Sequence, residues 1–162
     1  MKPPLHVLTA CLFIVVGCKN PSPTPQASGA CLQTTIVARQ HDATTDRLIG
    51  TVDASFIVFN SGSADAANVM LSVSFLPTQI TMTPIPASLQ PAGVWGSPTA
   101  VPLQAILGTI PAHKAAVATL TAKSDAQSTF NLVLNANVTS ATSLPPGCSG
   151  DSRTNLEIVV IF

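Results

Sequence analysis

Tyrosine does not occur in this chain, tryptophan occurs once, and aromatic residues make up 4% of the sequence. Recognition of sugars or bases by stacking needs exposed rings. Only Trp95, in "PAGVWGSP", is a candidate platform, and capping of the core is the alternative use of that side chain. Charge is equally sparse, with seven Lys and Arg against seven Asp and Glu and a formal net charge of zero. No basic run carries interleaved aromatics, which argues against phosphate-dominated binding of nucleic acid. No window repeats its apolar residues at the helical period. A Gly-x-Ser-x-Gly nucleophile elbow is also missing.

What is present begins at the amino end. Met1 and Lys2 supply positive charge, and an apolar run extends from Val7 to Val16, interrupted by Thr9, Ala10 and Cys11. About ten apolar residues suit a signal-peptide core and fall short of the roughly 18–20 of a membrane-spanning helix. The run ends in Val15-Val16-Gly17-Cys18, which resembles the bacterial lipobox of lipoproteins. The resemblance implies that the Cys18 thiol receives a diacylglycerol, that the chain is cut before it, and that the new amine is acylated, as by palmitate. Two or three acyl chains on one residue give stable anchoring where a single chain does not. Lys19 follows, in place of the Asp that in many Gram-negative lipoproteins signals inner-membrane retention, so the outer membrane is expected in a Gram-negative host. The expected organisation is a signal peptide at 1–17, a lipidated cysteine and Pro/Ser-rich tether at 18–30, and a folded domain at 31–162. The tether's "NPSPTPQASGA" has three prolines among small polar residues. That composition suits an extended chain of about 30 Å.

With the leader removed, about 145 residues remain, enough for one domain with its own core. Of four cysteines, Cys11 leaves with the leader and Cys18 carries lipid, so Cys31 and Cys148 remain. An exported location permits a disulfide, and a bridge joining the two ends of the domain is the expected state. Metal binding by two such distant cysteines, with no histidine at ligand spacing, is the poorer alternative.

The domain reads as strands throughout. In "NVMLSVSFLP", Val69, Leu71, Val73 and Phe75 share one face and Ser72 and Ser74 the other. "TFNLVLNANVT" sends Phe130, Leu132, Leu134, Ala136 and Val138 inward and Asn131, Asn135 and Asn137 outward. "SFIVFN" at 55–60 is apolar on both faces and reads as a central strand covered on both sides. "LQTTIVAR", "AVPLQAIL", "AAVATLTA" and the closing "LEIVVIF" are further strands. "NSGSADAAN" at 60–68 reads as the turn of an antiparallel connection. The span 77–111 holds seven prolines and is expected to be loop, turn and edge strand. Seven or eight antiparallel strands predict an all-β, immunoglobulin-like two-sheet sandwich.

"FIVFNSGSADAANVMLSVSFLP" resembles the conserved-repeat domain of bacterial surface proteins, an immunoglobulin-like module. Asn60, Gly62, Ala64, Ala66, Asn68, Val69, Leu76 and Pro77 match its signature. "LGTIPAHKAAVATLT" at 107–121 is similar to its second segment, with Ile110 and His113 or Lys114 where Leu and Gly are usual. Ser74-Phe75 stands where Asp-Thr often precedes Leu-Pro. The resemblance implies surface structure or adhesion and brings no catalytic residues.

His41-Asp42 with Asp46 could be read as part of a metal or acid–base site, but "RQHDATTDR" reads more simply as a polar hairpin turn. His113 falls in a turn, Glu157 has no carboxylate neighbour, and "CSGDSR" at 148–153 reads as a loop. Asn137-Val138-Thr139 matches a glycosylation sequon that a bacterial host would not use. No catalytic, cofactor-binding or metal-ligating residue is therefore assigned. An enzyme would require two or more of His41, Asp42, Asp46, His113 and Asp125 to converge. The expected function is a membrane-anchored, non-catalytic structural, adhesion or protein-binding module of the bacterial cell envelope. Its expected partners are the membrane, through Cys18, and an envelope protein recognised with little dependence on salt. An accessory subunit holding a ligand for an envelope enzyme or transporter is the second expectation.

Overall fold

The computed structural model describes residues 29–40, 51–76, 81–90, 93–97, 102–125 and 128–158. The leader, Cys18 and the tether up to residue 28 lie outside these, as do His41, Asp42 and Asp46. Nine strands follow in order: β1 (Leu32–Gln40), β2 (Thr51–Asn60), β3 (Ala66–Leu76), β4 (Met82–Gln90), β5 (Val94–Trp95), β6 (Leu103–Ile110), β7 (Ala115–Ser124), β8 (Phe130–Thr139) and β9 (Ser152–Ile158). They form two antiparallel sheets, ordered β1-β2-β7-β4 and β5-β6-β3-β8-β9. Without β5 and β6 these are the two sheets of a constant-type immunoglobulin sandwich, with four and three strands. The expected fold is therefore present, with nine strands where seven or eight were counted. The extra strands form a hairpin between β4 and β7 that widens the three-stranded sheet beyond β3.

Alternation in the sequence becomes the two sides of each sheet. Val52, Ala54, Phe56 and Val58 of β2 point inward, and so do Val69, Leu71 and Val73 of β3 and Leu132, Leu134, Ala136 and Val138 of β8. Strand β7 contributes Ala116, Ala118, Leu120 and Ala122 to the same core. Phe56, wholly buried, is paired with Ala118, so the largest inward side chain lies beside one of the smallest. Such size complementarity lets facing layers approach native packing density.

Three readings change. β2 is central in its sheet but not covered on both sides: Ile57 is half-buried and Phe59 is 37% exposed. A two-layer sandwich covers only the inner face of each sheet. The segment after Asn60 is not a hairpin turn, since β2 and β3 belong to different sheets and the chain crosses between them. The last strand begins at Ser152, four residues before "LEIVVIF".

That crossover is held by one side chain. Asn60 is fully buried, and its Oδ1 accepts from the Cys31 and Gly62 N–H groups at 3.1 Å each. Its Nδ2 donates to the Ala64 carbonyl at 2.8 Å and the Ile110 carbonyl at 3.0 Å. A Cβ on Gly62 would collide with the Gly29 carbonyl oxygen and lie 2.6 Å from the Cys31 nitrogen, so only glycine permits this approach. The Ser63 N–H donates to the Gly29 carbonyl at 2.9 Å, and Ala30 is fully buried. The docked chain thus includes residues 29 and 30, which were assigned to the tether.

Cys31 and Cys148 form a disulfide with their Cα atoms 4.6 Å apart, 117 residues distant in sequence. Beside it the Leu32 N–H donates to the Cys148 carbonyl at 3.2 Å, and Leu32 and Ser149 form a parallel bridge. The start of β1 in one sheet is thereby joined to the entry of β9 in the other.

Asn60→Ala is expected to lower the unfolding free energy by about 3–5 kcal/mol, because three buried groups and one part-buried carbonyl each lose a partner worth about 1 kcal/mol or more. Urea denaturation of the oxidised protein measures this; a loss below about 1 kcal/mol would contradict the assignment. For a loop of 117 residues the chain-entropy model gives about 4–5 kcal/mol to the disulfide. Reduction should lower the urea midpoint correspondingly, and an unchanged midpoint would exclude that contribution.

Candidate functional site

Because inward side chains are consumed by the core, surface chemistry belongs to the outward rows. On the five-stranded sheet the register fixes those rows. Val94, Ile106, Met70 and Thr139 are successive cross-strand partners. One step along, Gln104 faces Ser72 and Ser72 faces Asn137. The next row is Ser74, Asn135 and Arg153, and the one after it Leu76, Val133 and Asn155. Rows two residues apart lie about 7 Å from one another. Two polar rows therefore run between two that are largely apolar.

The polar rows floor an open depression of about 770 Å³ lined by Ser72, Ser74, Asn135, Asn137, Asp151 and Arg153. Ser72 and Ser74 are small, so the surface dips between the amides of β8 and the β6 side. Asp151 organises one margin: its Oδ1 accepts from Asn137 Nδ2 at 2.9 Å and from the Val138 N–H at 3.2 Å. Among the described residues, Ser72, Ser74, Asn135 and the Arg153 guanidinium take part in no side-chain hydrogen bond, leaving donors and acceptors open to a partner.

The serine and asparagine positions expected to face outward do so, and Ser72, Ser74, Asn135 and Asn137 meet in one patch. Asn131 does not join them, being paired with Glu157 at the far end of β8. Asp151 and Arg153 were hidden inside a segment read as a loop. The signal available was a period of two, with Asp151, Arg153, Asn155 and Glu157 exposed and Ser152, Thr154, Leu156 and Ile158 turned inward.

Of the residues weighed for acid–base chemistry, the two within the described residues, His113 and Asp125, stay apart. His113 precedes β7 and Asp125 follows it, so ten residues of strand, about 30 Å, separate them. His113 has φ 59° in the turn before β7, and its N–H donates to the Asn60 carbonyl at 2.8 Å. Asp125 accepts from the Thr81 N–H at 2.8 Å, a loop contact. Glu157 is exposed on β9. Trp95 is half-buried against the core from β5. Among the described residues no three His, Cys, Asp or Glu side chains are placed to hold a metal ion.

A scan against protein-family models and a search of curated proteins both find no match. Among solved structures, the chain is similar to the GAE domain of GGA2p from Saccharomyces cerevisiae at 11% identity, covering 88% of this chain and 96% of that one, with a TM-score of 0.39. It is also similar to a family 123 glycoside hydrolase from Clostridium perfringens at 16% identity, covering 80% of this chain and 28% of that one, with a TM-score of 0.41. At these scores the likenesses bear on neither site nor activity.

The Asp151–Asn137 contact yields a quantitative expectation. Asp151→Ala and Asn137→Ala should each cost about 1 kcal/mol, and the double variant should fall short of their sum by about 0.5–1 kcal/mol. Strict additivity in a double-mutant cycle would show that the two side chains do not act together.

Proposed function

We propose that this chain is a lipid-anchored lipoprotein of the bacterial cell envelope whose immunoglobulin-like sandwich is a non-catalytic structural, adhesion or protein-binding module. The observation that carries the binding role is the outer face of the five-stranded sheet, where hydroxyl, amide and guanidinium groups without hydrogen-bond partners among the described residues lie together. The catalytic candidates within the described residues are split between the two ends of β7, which supports a non-catalytic reading. Resemblance to the conserved-repeat domain of surface proteins points the same way.

The anchor rests on Val15-Val16-Gly17-Cys18 and on its place between an apolar run and a proline-rich tether. Two or more acyl chains would hold the protein at a membrane, the outer one in a Gram-negative host given Lys19. A neutral chain gives little long-range steering, so recognition depends on shape and short-range hydrogen bonds. The depression lined by Asn135 and Arg153 also supports the second reading, an accessory subunit that holds a ligand for an envelope enzyme or transporter.

Cys18→Ala is expected to abolish incorporation of labelled palmitate, to leave the precursor uncut by the lipoprotein-specific peptidase, and to move the protein out of the detergent phase on phase partitioning. Normal processing and partitioning of that variant would overturn the anchor.

A further inference from the structure

The outer face of the five-stranded sheet has an internal symmetry that a list of its residues conceals. Along β3 the outward side chains are Leu76, Ser74, Ser72 and Met70: apolar, serine, serine, apolar. Along β8 they are Val133, Asn135, Asn137 and Thr139, with two amides at the centre. At the margin formed by β9, Asn155, Arg153 and Asp151 place one positive and one negative group on either side of the same midline. The midline lies between the Ser72–Asn137 row and the Ser74–Asn135–Arg153 row. On β3 and at the centre of β8 the pattern reads alike in both directions; at its margins Val133 exchanges with Thr139 and Arg153 with the oppositely charged Asp151.

From this we infer that the face is self-complementary and that its partner is a second copy of this chain, packed sheet to sheet about a two-fold axis running across the strands at the midline. Such an operation keeps each strand over its own copy and exchanges the rows. Met70 then meets the partner copy's Leu76 position, serine meets serine, amide meets amide, and Asp151 on each copy meets Arg153 on the other. An isologous interface requires this reciprocity: if i contacts j, then j contacts i.

The local chemistry is consistent. Asp151 spends its Oδ1 on Asn137 and Val138, and no hydrogen bond within the described residues uses its Oδ2. Arg153 is exposed and makes no ion pair within the described residues. Ile106 is 53% and Val94 65% exposed, at one corner of the face. Leu76 is 37% exposed at the opposite end, so apolar surface flanks both sides of the polar centre. Aligned sheet packings hold strand directions within about 30° and sheets about 10 Å apart, a separation these short and medium side chains span. Four strands by four rows cover about 600 Å² per copy, at the lower end of specific interfaces, so the association is weak and reversible.

This names the partner of the binding module proposed above and rests on that reading. The test uses the full chain in detergent micelles, with sedimentation equilibrium read at matched solvent density. The parent chain is expected to dimerise at about 0.1 mM. Arg153→Asp places two carboxylates opposite each other at both contacts, and Asp151→Arg places two guanidinium groups there. Each variant alone should associate at least tenfold more weakly. Mixed in equal amounts they should recover dimerisation, because one copy then supplies two acidic groups and the other two basic ones. Cooperative unfolding in urea confirms that both variants fold, the Asp151→Arg midpoint being lowered by its lost contacts to Asn137 and Val138; Arg153→Glu with Asp151→Lys serves as the second pair where one does not. A parent chain monomeric to 1 mM, a dimer indifferent to either change, or a mixture that fails to recover would each overturn the pairing. Crosslinking through Asn135 in cells to a different protein, with the parent chain monomeric, would overturn self-pairing and leave the binding-module reading intact.

Discussion

The fold depends on four hydrogen bonds from one buried amide. At the end of β2 three segments meet, with all but the Ala64 contact out of reach of water: the entry of the domain at Cys31, the crossover at Gly62 and Ala64, and the end of β6 at Ile110. They present two N–H donors and two carbonyl acceptors. Asparagine alone among short side chains offers a carbonyl that accepts twice and an NH₂ that donates twice. Aspartate would turn a carboxylate toward two carbonyl oxygens, and leucine would leave four groups unpaired. The backbone of Asn60 extends the same knot, donating to the Lys114 carbonyl at 2.9 Å and accepting from His113.

Around that knot the sandwich is fastened differently from an antibody domain, where a disulfide crosses the core between the second and sixth strands beside a buried tryptophan. Here the corresponding interior is filled by Phe56 and aliphatic side chains, and the disulfide sits at the rim between the first residues of the domain and the entry to β9. Rim placement keeps the disulfide out of the space between the sheets' central strands and joins the start of β1 to the entry of β9 in the opposite sheet. It also shields the outer edge of β1, which Ser149 approaches through its bridge to Leu32. The opposite edge of that sheet, β4, carries Pro84 and Pro86 and a register shift between Pro86 and Ser88, devices that discourage a further strand from adding there.

How much of this was legible follows from what alternation can encode. A period of two states which side chains share a face, so the inward and outward sets of β3 and β8 could be read directly. It is silent on which sheet a strand joins, and the step from β2 to β3 therefore looked like a hairpin. β4 is the edge strand expected within the proline-rich span, since Pro84 and Pro86 are compatible with pairing on one side only, but no alternation marks its bounds. β5 has two residues, too short for any period. The serines and asparagines of the candidate face were legible one by one. Their meeting with Asp151 and Arg153 was not, because register joins positions such as Ser74, Asn135 and Arg153 that local sequence keeps far apart. Asn60 and Gly62 lay within the conserved-repeat resemblance, yet the reason for them appears only when Gly29 and Cys31 are seen packed against them.

Scarcity of charge and the symmetry of the outer face bear on one another. A face crowded with like charges would repel its copy, and a face without charge would fix neither register nor direction. One Asp and one Arg across a midline on the edge strand reward this arrangement alone, because a two-fold along the strands would carry β9 to the far side of the face and leave neither charge opposite its complement. An interface of about 600 Å² per copy is weak in dilute solution. On the proposed reading, a tether of about 30 Å confines each domain to a thin layer beside the membrane, where local concentration is high. Weak pairing then suffices, and it remains reversible. On the same reading, a pull on the anchor would reach the domain at Gly29, beside the Asn60 knot, and would be borne by hydrogen bonds to Ser63 and by the disulfide before it reached the strands that display the face.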